Sequence, residues 1–519
     1  MKKYSNLPKF KEFTNSKQEV IYYTGNPNLQ ILDKLSEGYG DLWHSSFEQG
    51  YKNAFSDIVY FAAVFFWYVK DFEGLNECVS WRINPNAFAV RKEVWDQLQG
   101  FDQDIKNLNL AAIDFGYNLL KNHGGIPLYF KGLYEETLTE NLSFSSYEVQ
   151  LFYRKNFKID HAIYRNLRKG FWKVNEWVNL IKVAQKYQTR NTNQVLQPRE
   201  LKDIIGTPTV SYIIPTMLRQ EFTLLLLNDL KNQTYLPSQV IVIDATPEEQ
   251  RNHHIYQPKD YPFDLVVQWQ TTKGSCRARN EAIELCTSEY IIFGDDDIRF
   301  FPDFIENHIK LLQTYNALAC NGLDIRADHQ QQDLIDLQSK IKLLGKSRWK
   351  VGASNNFSNA NSCVKSEYVK QLVGNDINYD GGYGEDGDFG LSLTKIGATV
   401  LYNPFSVNLH LKPPQGGYRF WGKEAKVLGK KRKSQPWELD VPVKRIRPVP
   451  SPTVMYQIYK HFGKEERKEY FYKYFLKQLT KKGWLHLSLQ ILILPYKILQ
   501  FKKSEFYAKK LIALGKRTK

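Results

Sequence analysis

The sequence predicts an α/β protein whose best-organised part, between about residues 206 and 425, is a Rossmann-like mixed sheet flanked by helices. Three observations predict it. Short apolar runs alternate there with stretches of helical spacing. Three aspartates, Asp295-Asp296-Asp297, stand directly after one of those runs. A helix-then-strand pattern that starts near Asn86 returns in the same order near Asn361.

Taken in order, 210–214 reads as a strand stopped by Pro215, 222–230 as a helix, and 239–243 as a strand ending at Asp244. The segments 265–269, 277–286 and 290–293 continue as strand, helix and strand, the last running straight into Gly294 and the aspartates. Residues 1–140 hold a smaller α/β module. Residues 141–205 are charged and aromatic without β alternation, and read as a helical connector. Lysines and arginines crowd 423–447 and prolines crowd 442–452, so 426–519 reads as a basic linker followed by an amphipathic helical tail.

The internal echo is specific in order and spacing. Asn86 to Lys92, then Asp114-Phe115-Gly116, then 125–129 parallels 361–365, then Asp388-Phe389-Gly390, then 397–402. A partial second version of one module accounts for this, and so does chance likeness between two helix-then-strand segments.

A chain of 519 residues exceeds one ordinary compact domain. Its net charge of +16 suits nucleic acid, an anionic membrane surface, phosphorylated substrates or a solvated basic face, and charge alone does not choose among them. The five cysteines, Cys78, Cys276, Cys286, Cys320 and Cys363, have no paired spacing, which argues against a disulfide framework or a zinc site and for a reducing cytosol. The polar start lacks a signal peptide's apolar core, and 58–69 is too short to span a bilayer, so a cytoplasmic location is expected.

Alternation along an extended backbone points Asp295 and Asp297 the same way, and hard cations such as Mg²⁺ and Mn²⁺ favour carboxylate and phosphate oxygens. The carboxyl ends of strands are where open α/β sheets bind ligands. The cluster equally fits a solvated turn or a helix N-cap. Six segments then keep one order: 213–216, 232–235, 242–244, Gly274 to Asn280, 295–297 and Gly384 to Asp388. That order resembles the family-two inverting glycosyltransferases with a GT-A fold, over about 210–419.

The resemblance implies that Pro215 and Thr216 line a base and ribose pocket, with Asp244 near the nucleoside. It places Arg277, Arg279 and Asn280 around the donor, with Asp295 and Asp296 also in the donor site. Arginines on a loop opening a helix suit a diphosphate, although a surface position on that helix also explains them. Two features depart from the family: Ala245 stands where a second acidic residue is usual, and Met217-Leu218-Arg219 replaces the usual polar residues. Asp386 is the implied base that takes the acceptor's proton, with Glu385 as helper, and Asp388 is expected to cap the helix that follows. His410, placed after a strand at 400–402, is expected to complete a metal site with Asp295 and Asp297, though a lone histidine is also commonly structural. Gly416-Gly417-Tyr418-Arg419 reads as a loop that closes on the diphosphate and brings Arg419 to the leaving group.

The expected activity is metal-dependent, inverting transfer from a nucleotide-diphosphate sugar, UDP-linked, to a saccharide or lipid-linked acceptor in cell-surface polysaccharide synthesis. Mn²⁺ or Mg²⁺ is the expected cofactor, and no nucleic acid is expected. The N-terminal module has Ala111-Ala112 where Glu385-Asp386 stand, and its Asp102-Gln103-Asp104 lies in a loop, so it is expected to be non-catalytic, for acceptor binding or dimerisation. The stretch 484–501, bracketed by lysine pairs, suits either peripheral membrane contact or packing on the catalytic domain. A nucleotidyltransferase would show a Gly-rich signature near the first strand, and 213–216 has none. A nucleic-acid-binding protein would leave the ordered acidic motifs unexplained.

Overall fold

Apolar burial gathers the chain around two sheets. The structure, a computed structural model, describes residues 8–52, 54–135, 142–190, 194–256, 260–270, 272–414, 416–418, 434–480 and 487–519. Unit 1 comprises Met1–Arg199 with Gly345–Ala353, and unit 2 comprises Glu200–Leu344 with Ser354–Lys519.

Unit 1 holds β1 (Lys11–Thr14), β2 (Val20–Tyr23), α1 (Leu29–Ser36), β3 (Leu42–His44), α2 (Ser56–Ala62), β4 (Glu77–Val79), β5 (Phe88–Arg91), α3 (Lys92–Leu98), α4 (Leu108–Asn118) and β6 (Pro127–Phe130). It continues through α5 (Ser146–Asn156), α6 (Ile159–Lys169) and α7 (Val174–Lys186), so the helices expected as a connector fall inside this unit. Its sheet runs β1-β2-β5-β3-β6-β4.

Unit 2 opens with β7 (Val210–Thr216), α8 (Gln220–Lys231), β8 (Gln239–Asp244), β9 (Asp264–Trp269), α9 (Ser275–Leu285), β10 (Tyr290–Gly294), β11 (Ile298–Phe300) and α10 (Phe304–Thr314). It then forms β12 (Ala319–Arg326), α11 (Leu334–Lys342), β13 (Asn361–Lys365), α12 (Ser366–Gln371), α13 (Glu385–Lys395) and β14 (Val400–His410). The tail adds α14 (Pro452–His461), α15 (Lys464–Thr480) and α16 (Leu487–Leu514) to the same unit. The sheet order is β11-β14-β12-β13-β10-β7-β8-β9. Its β10-β7-β8-β9 half is parallel. Ile213, Ile241, Ile291 and Phe293 bury one face of that half against Ala278 and Ala282 of α9 and Phe389 and Leu393 of α13, which aims both helix N-termini at the strands' carboxyl ends.

Two strand boundaries differ from expectation for one reason, the placement of prolines that lack a donor. β7 continues through Pro215 to Thr216, because β10 pairs only as far as Ile213 and no ladder bond is required of Pro215 on that side. β14 likewise runs past Tyr402 to His410, because residues 404–406 bulge out of the ladder where Gly322 pairs Asn403 and Leu323 pairs Val407. Pro404 sits in that bulge, and His410 closes the strand rather than following it.

Beside the bulge, a Cβ on Gly322 would lie 2.1 Å from Asn361 Oδ1. Gly322→Ala is therefore expected to cost about 1–3 kcal/mol, read as a fall in the denaturation midpoint. Gly345→Ala, which faces open space, is expected to change it by less than about 0.5 kcal/mol.

Candidate functional site

The loop after β10 concentrates three carboxylates, and Arg279, Arg219 and His410 meet them, Arg219 serving two. Asp295 Oδ1 accepts from Arg279 Nη2 at 2.5 Å. Asp296, buried, accepts from Thr216 Oγ1 at 2.7 Å and from Arg219 Nη1 at 3.1 Å. Asp297 divides its oxygens, with Oδ2 2.8 Å from Arg219 Nη1 and Oδ1 3.4 Å from His410 Nε2. Burial pushes Asp296 up to about 7 against the pull of Arg219. Burial opposes a proton on His410, but Asp297 and Asp324 outweigh it and hold the imidazole well above its usual range.

One ligand atom each from Asp295, Asp297 and His410 can be chosen with all three within 4.8 Å of one another. The trio expected from the sequence is thus brought together. Two carboxylates and an imidazole suit Mn²⁺ or Mg²⁺ as a donor set. The other ring nitrogen, His410 Nδ1, lies 3.1 Å from Asp324 Oδ1, the kind of carboxylate partner that orients a metal-binding imidazole. Asp324 went unread because it is a single acid inside a strand, with no motif around it.

The donor side is built more indirectly than expected. Pro215 and Thr216 end β7, with Thr216 spent on Asp296. Asp244 has no exposed surface, and its oxygens accept from the Thr246 amide at 2.8 Å and Tyr256 Oη at 3.0 Å. It holds Tyr256 beside Trp269, over which Arg251 lies 4.9 Å from the ring centroid. Arg277 Nη1 is 3.4 Å from Asp380 Oδ2, and Asp380 Oδ1 accepts from the Cys276 amide at 2.7 Å, at the N-terminus of α9. Burial pushes Asp380 up to about 6.

Arg279 is 5% exposed, and its Nε and Nη1 are buried without a hydrogen-bond partner. Burial works against its charge, but Asp295, then Asp386 and Glu385, raise its pKa overall, so it lies in the field of both the acidic loop and the start of α13. Asn280, expected on the donor, is turned away. Its Nδ2 donates to the Asn375 carbonyl at 2.9 Å and the Thr518 carbonyl at 2.8 Å, and its Oδ1 accepts from the Asn375 amide at 2.6 Å. One step along a helix rotates a side chain by about 100°, which is how Arg279 meets Asp295 while Asn280 meets Asn375.

Glu385 and Asp386 open α13 after Gly384, both partly exposed, with the Asn359 amide 3.4 Å from Asp386 Oδ1. The helix cap is Gly384, not Asp388. Asp388 is buried instead and accepts from Tyr379 Oη at 2.9 Å, Lys460 Nζ at 3.0 Å and His461 Nε2 at 2.7 Å, which ties α13 to α14. Gly417 donates to the Met217 carbonyl at 2.8 Å, and Tyr418 Oη donates to the Thr216 carbonyl at 2.9 Å. A Cβ at Gly416 would lie 2.5 Å from Arg219 Cγ, so this loop lies on Arg219 as only glycine allows. Arg419 falls outside the described residues.

Residues 211–363 match the family described as Glycosyl transferase family 2. A glycosyl transferase of Escherichia coli strain K12 named for colanic acid biosynthesis, WcaA, is 30% identical over 121 residues, 22% of this chain and 43% of that protein. An uncharacterized glycosyltransferase of Rickettsia bellii strain RML369-C is 29% identical over 140 residues, 27% of this chain and 20% of its own length. The chain thus spans less than half of either curated relative. Among solved structures, S. aureus TarS 1-349 in complex with UDP-GlcNAc shows 15% identity and a TM-score of 0.37, covering 57% of this chain and 80% of that one. A mannosyltransferase from Pyrobaculum calidifontis in complex with GDP-Man and Mn²⁺ shows 18% identity and a TM-score of 0.33, covering 60% and 89%.

The anchorage of α13 is open to an acid titration. Burial would raise Asp388, but the hydrogen bond from His461 and the charge of Lys460 hold it at about 2, below the ordinary 3.8. A carboxylate depressed on folding contributes stability that is complete above about pH 4 and lost as pH falls through about 2. About 2 kcal/mol is expected to disappear over that window. Asp388→Asn is expected to remove that part of the acid limb in chemical denaturation at stepped pH.

Proposed function

Residues 211–363 being a glycosyl transferase family 2 domain, we propose that the chain transfers a sugar from a nucleotide-diphosphate donor to an acceptor hydroxyl, with inversion at the anomeric carbon. The observation that carries this reading is the convergence of Asp295, Asp297 and His410 beside Arg279, whose charge also answers to Asp386.

Asp295, Asp297 and His410 would hold Mn²⁺ or Mg²⁺, which when bound neutralises charge on the departing diphosphate. Arg279 offers its two unpartnered N–H groups to an anion in a buried setting, where such donors act most strongly. Tyr256, Trp269 and Arg251 supply the flat surfaces that suit a base. Asp386, partly exposed at the start of α13, takes the acceptor's proton as its oxygen attacks and the bond from C1 to the diphosphate breaks. Glu385 beside it suits the acceptor. We assign UDP to the donor and a saccharide or lipid-linked glycan of the cell surface to the acceptor, a reading supported by the likeness to the E. coli protein named for colanic acid biosynthesis.

Unit 1 is read as a partial, non-catalytic relative of the same architecture. Strands β2-β5-β3-β6-β4 pair antiparallel, antiparallel, parallel and antiparallel, and β10-β13-β12-β14-β11 pair in the same senses. The chain order differs at one strand, since β4 follows β3 whereas β11 precedes β12. Ala111 and Ala112 are buried in α4, and Asp102 and Asp104 are paired with Arg190 and Lys155. No base stands there.

Thermal stabilisation by nucleotide sugars tests the donor, with UDP-sugars expected to shift the transition in the presence of Mn²⁺ and a chelator expected to reverse the shift. Asp386→Asn is expected to lower transfer by about 10²–10⁴-fold while donor stabilisation persists. Transfer at the wild-type rate in that variant would remove Asp386 from the mechanism.

A further inference from the structure

Helices α6 and α7 are arranged inside out for contact with water. Among the described residues, eight of the eleven large apolar side chains exposed in unit 1 fall between Ile159 and Ile181. On α6 the exposed set is Ile159, Ile163 and Leu167, at intervals of four, while Arg165 and Asn166 are buried. On α7 the exposed set is Val174, Val178 and Ile181, while Leu180 and Val183 are buried. Both series therefore lie on single helix faces. At the turn between them Phe171 and Trp172 are 71% and 67% exposed. Arg165 is held inward by Asp57 at 2.7 Å and by Glu176 at 2.9 Å, which fixes the apolar faces outward.

Charge decides what covers these faces. Lys158, Arg168, Lys169, Lys173, Lys182 and Lys186 are interspersed in sequence with the apolar stripes, and Asp160 and Glu176 are the acids of the same segment, with Glu176 already paired to Arg165 and, at 3.7 Å, to Lys169. A second copy laid on the same surface would set like charges against each other. An anionic surface would not. No described helix is long and apolar enough to cross a membrane, and an apolar stripe with an aromatic tip and interspersed basic residues is the pattern that lies in the plane of a lipid interface.

We propose that the α6–α7 hairpin seats unit 1 on an anionic lipid surface, with Phe171 and Trp172 entering the headgroup region and the interspersed lysines facing lipid phosphates. This contact is separate from the transfer reading, and it is measured without donor or acceptor. The full chain is mixed with phosphatidylcholine vesicles with or without phosphatidylglycerol and sedimented. It is expected to pellet with the anionic vesicles, and less so as salt rises. Replacing Phe171→Ser and Trp172→Ser together is expected to lower vesicle affinity at least about tenfold. Lys169→Glu with Lys173→Glu, which leaves the apolar residues in place, is expected to abolish the preference for anionic vesicles. The proposal is overturned if the wild-type chain stays in solution or if the Phe171 and Trp172 variant pellets unchanged. It is equally overturned if light scattering shows a dimer that this variant dissociates.

Discussion

Three consecutive carboxylates at the end of a buried strand repel one another, and most of what surrounds β10 exists in relation to that repulsion. Arg279 meets Asp295, Arg219 bridges Asp296 and Asp297, and His410 meets Asp297 from the far side. Each cation comes from a different element, α9, the loop after β7 and the end of β14, so the loop can hold its shape only when these elements are in register. The constraint extends through the sheet. His410 leans on Asp324, Asp324 accepts from Asn408 at 2.7 Å, Asn408 accepts from Asn361 at 2.7 Å, and Asn361 accepts from His308 at 2.9 Å. A buried polar chain of this kind specifies one arrangement, since breaking any link leaves a partner unsatisfied in the interior.

That chain explains which parts of the site were legible beforehand. The parallel half of unit 2 was readable because its strands are continuous apolar runs and the pattern needs no partner to be seen. The three aspartates announce themselves by adjacency. Their counter-ions do not: Arg219 stood out only as a departure from a familiar pattern, and Asp324 and Asn408 are isolated polar residues that a sequence cannot join. Register shift and bulge at Gly322 bring them together. Asp244 and Asn280 have their side-chain oxygens or amides engaged by protein groups for a related reason. Motif order places a residue near a site, but burial and the angle around a helix decide whether its side chain reaches it.

The tail helix is buried unevenly along its length. In α16 the residues Tyr507, Ala508 and Leu511 are buried while Leu489, Ile491, Leu492 and Leu499 are exposed. Burial is denser from Phe501 onward, with Gln490 the buried residue of the earlier part. The packed half belongs to the same polar system as α13, because Asn378 donates to the Gly515 carbonyl at 2.7 Å and the Tyr456 hydroxyl donates to Asp376 at 2.7 Å. Lys460 then bridges Asp376 and Asp388. The angle of α13 is thus fixed from outside the sheet, by charged hydrogen bonds from Lys460 and His461 of α14 to Asp388.

The two sheets show which residues the fold itself does not require. Unit 1 keeps the same strand senses across four neighbouring pairs without an acidic triplet after β2, and Ala111 and Ala112 are buried in α4. Its core closes around Trp43, Trp81 and Tyr117. The same strand senses thus occur in this chain without the acidic triplet. Holding Asp296 buried costs free energy that Arg219 and Thr216 only partly offset, as its rise to about 7 shows, whereas burial of Asp297 is outweighed by His410 and Arg219, which hold it below its usual range. A cation held by Asp295, Asp297 and His410 would relieve that cost, and Arg279, whose Nε and Nη1 are buried without a hydrogen-bond partner, keeps donors in reserve beside it.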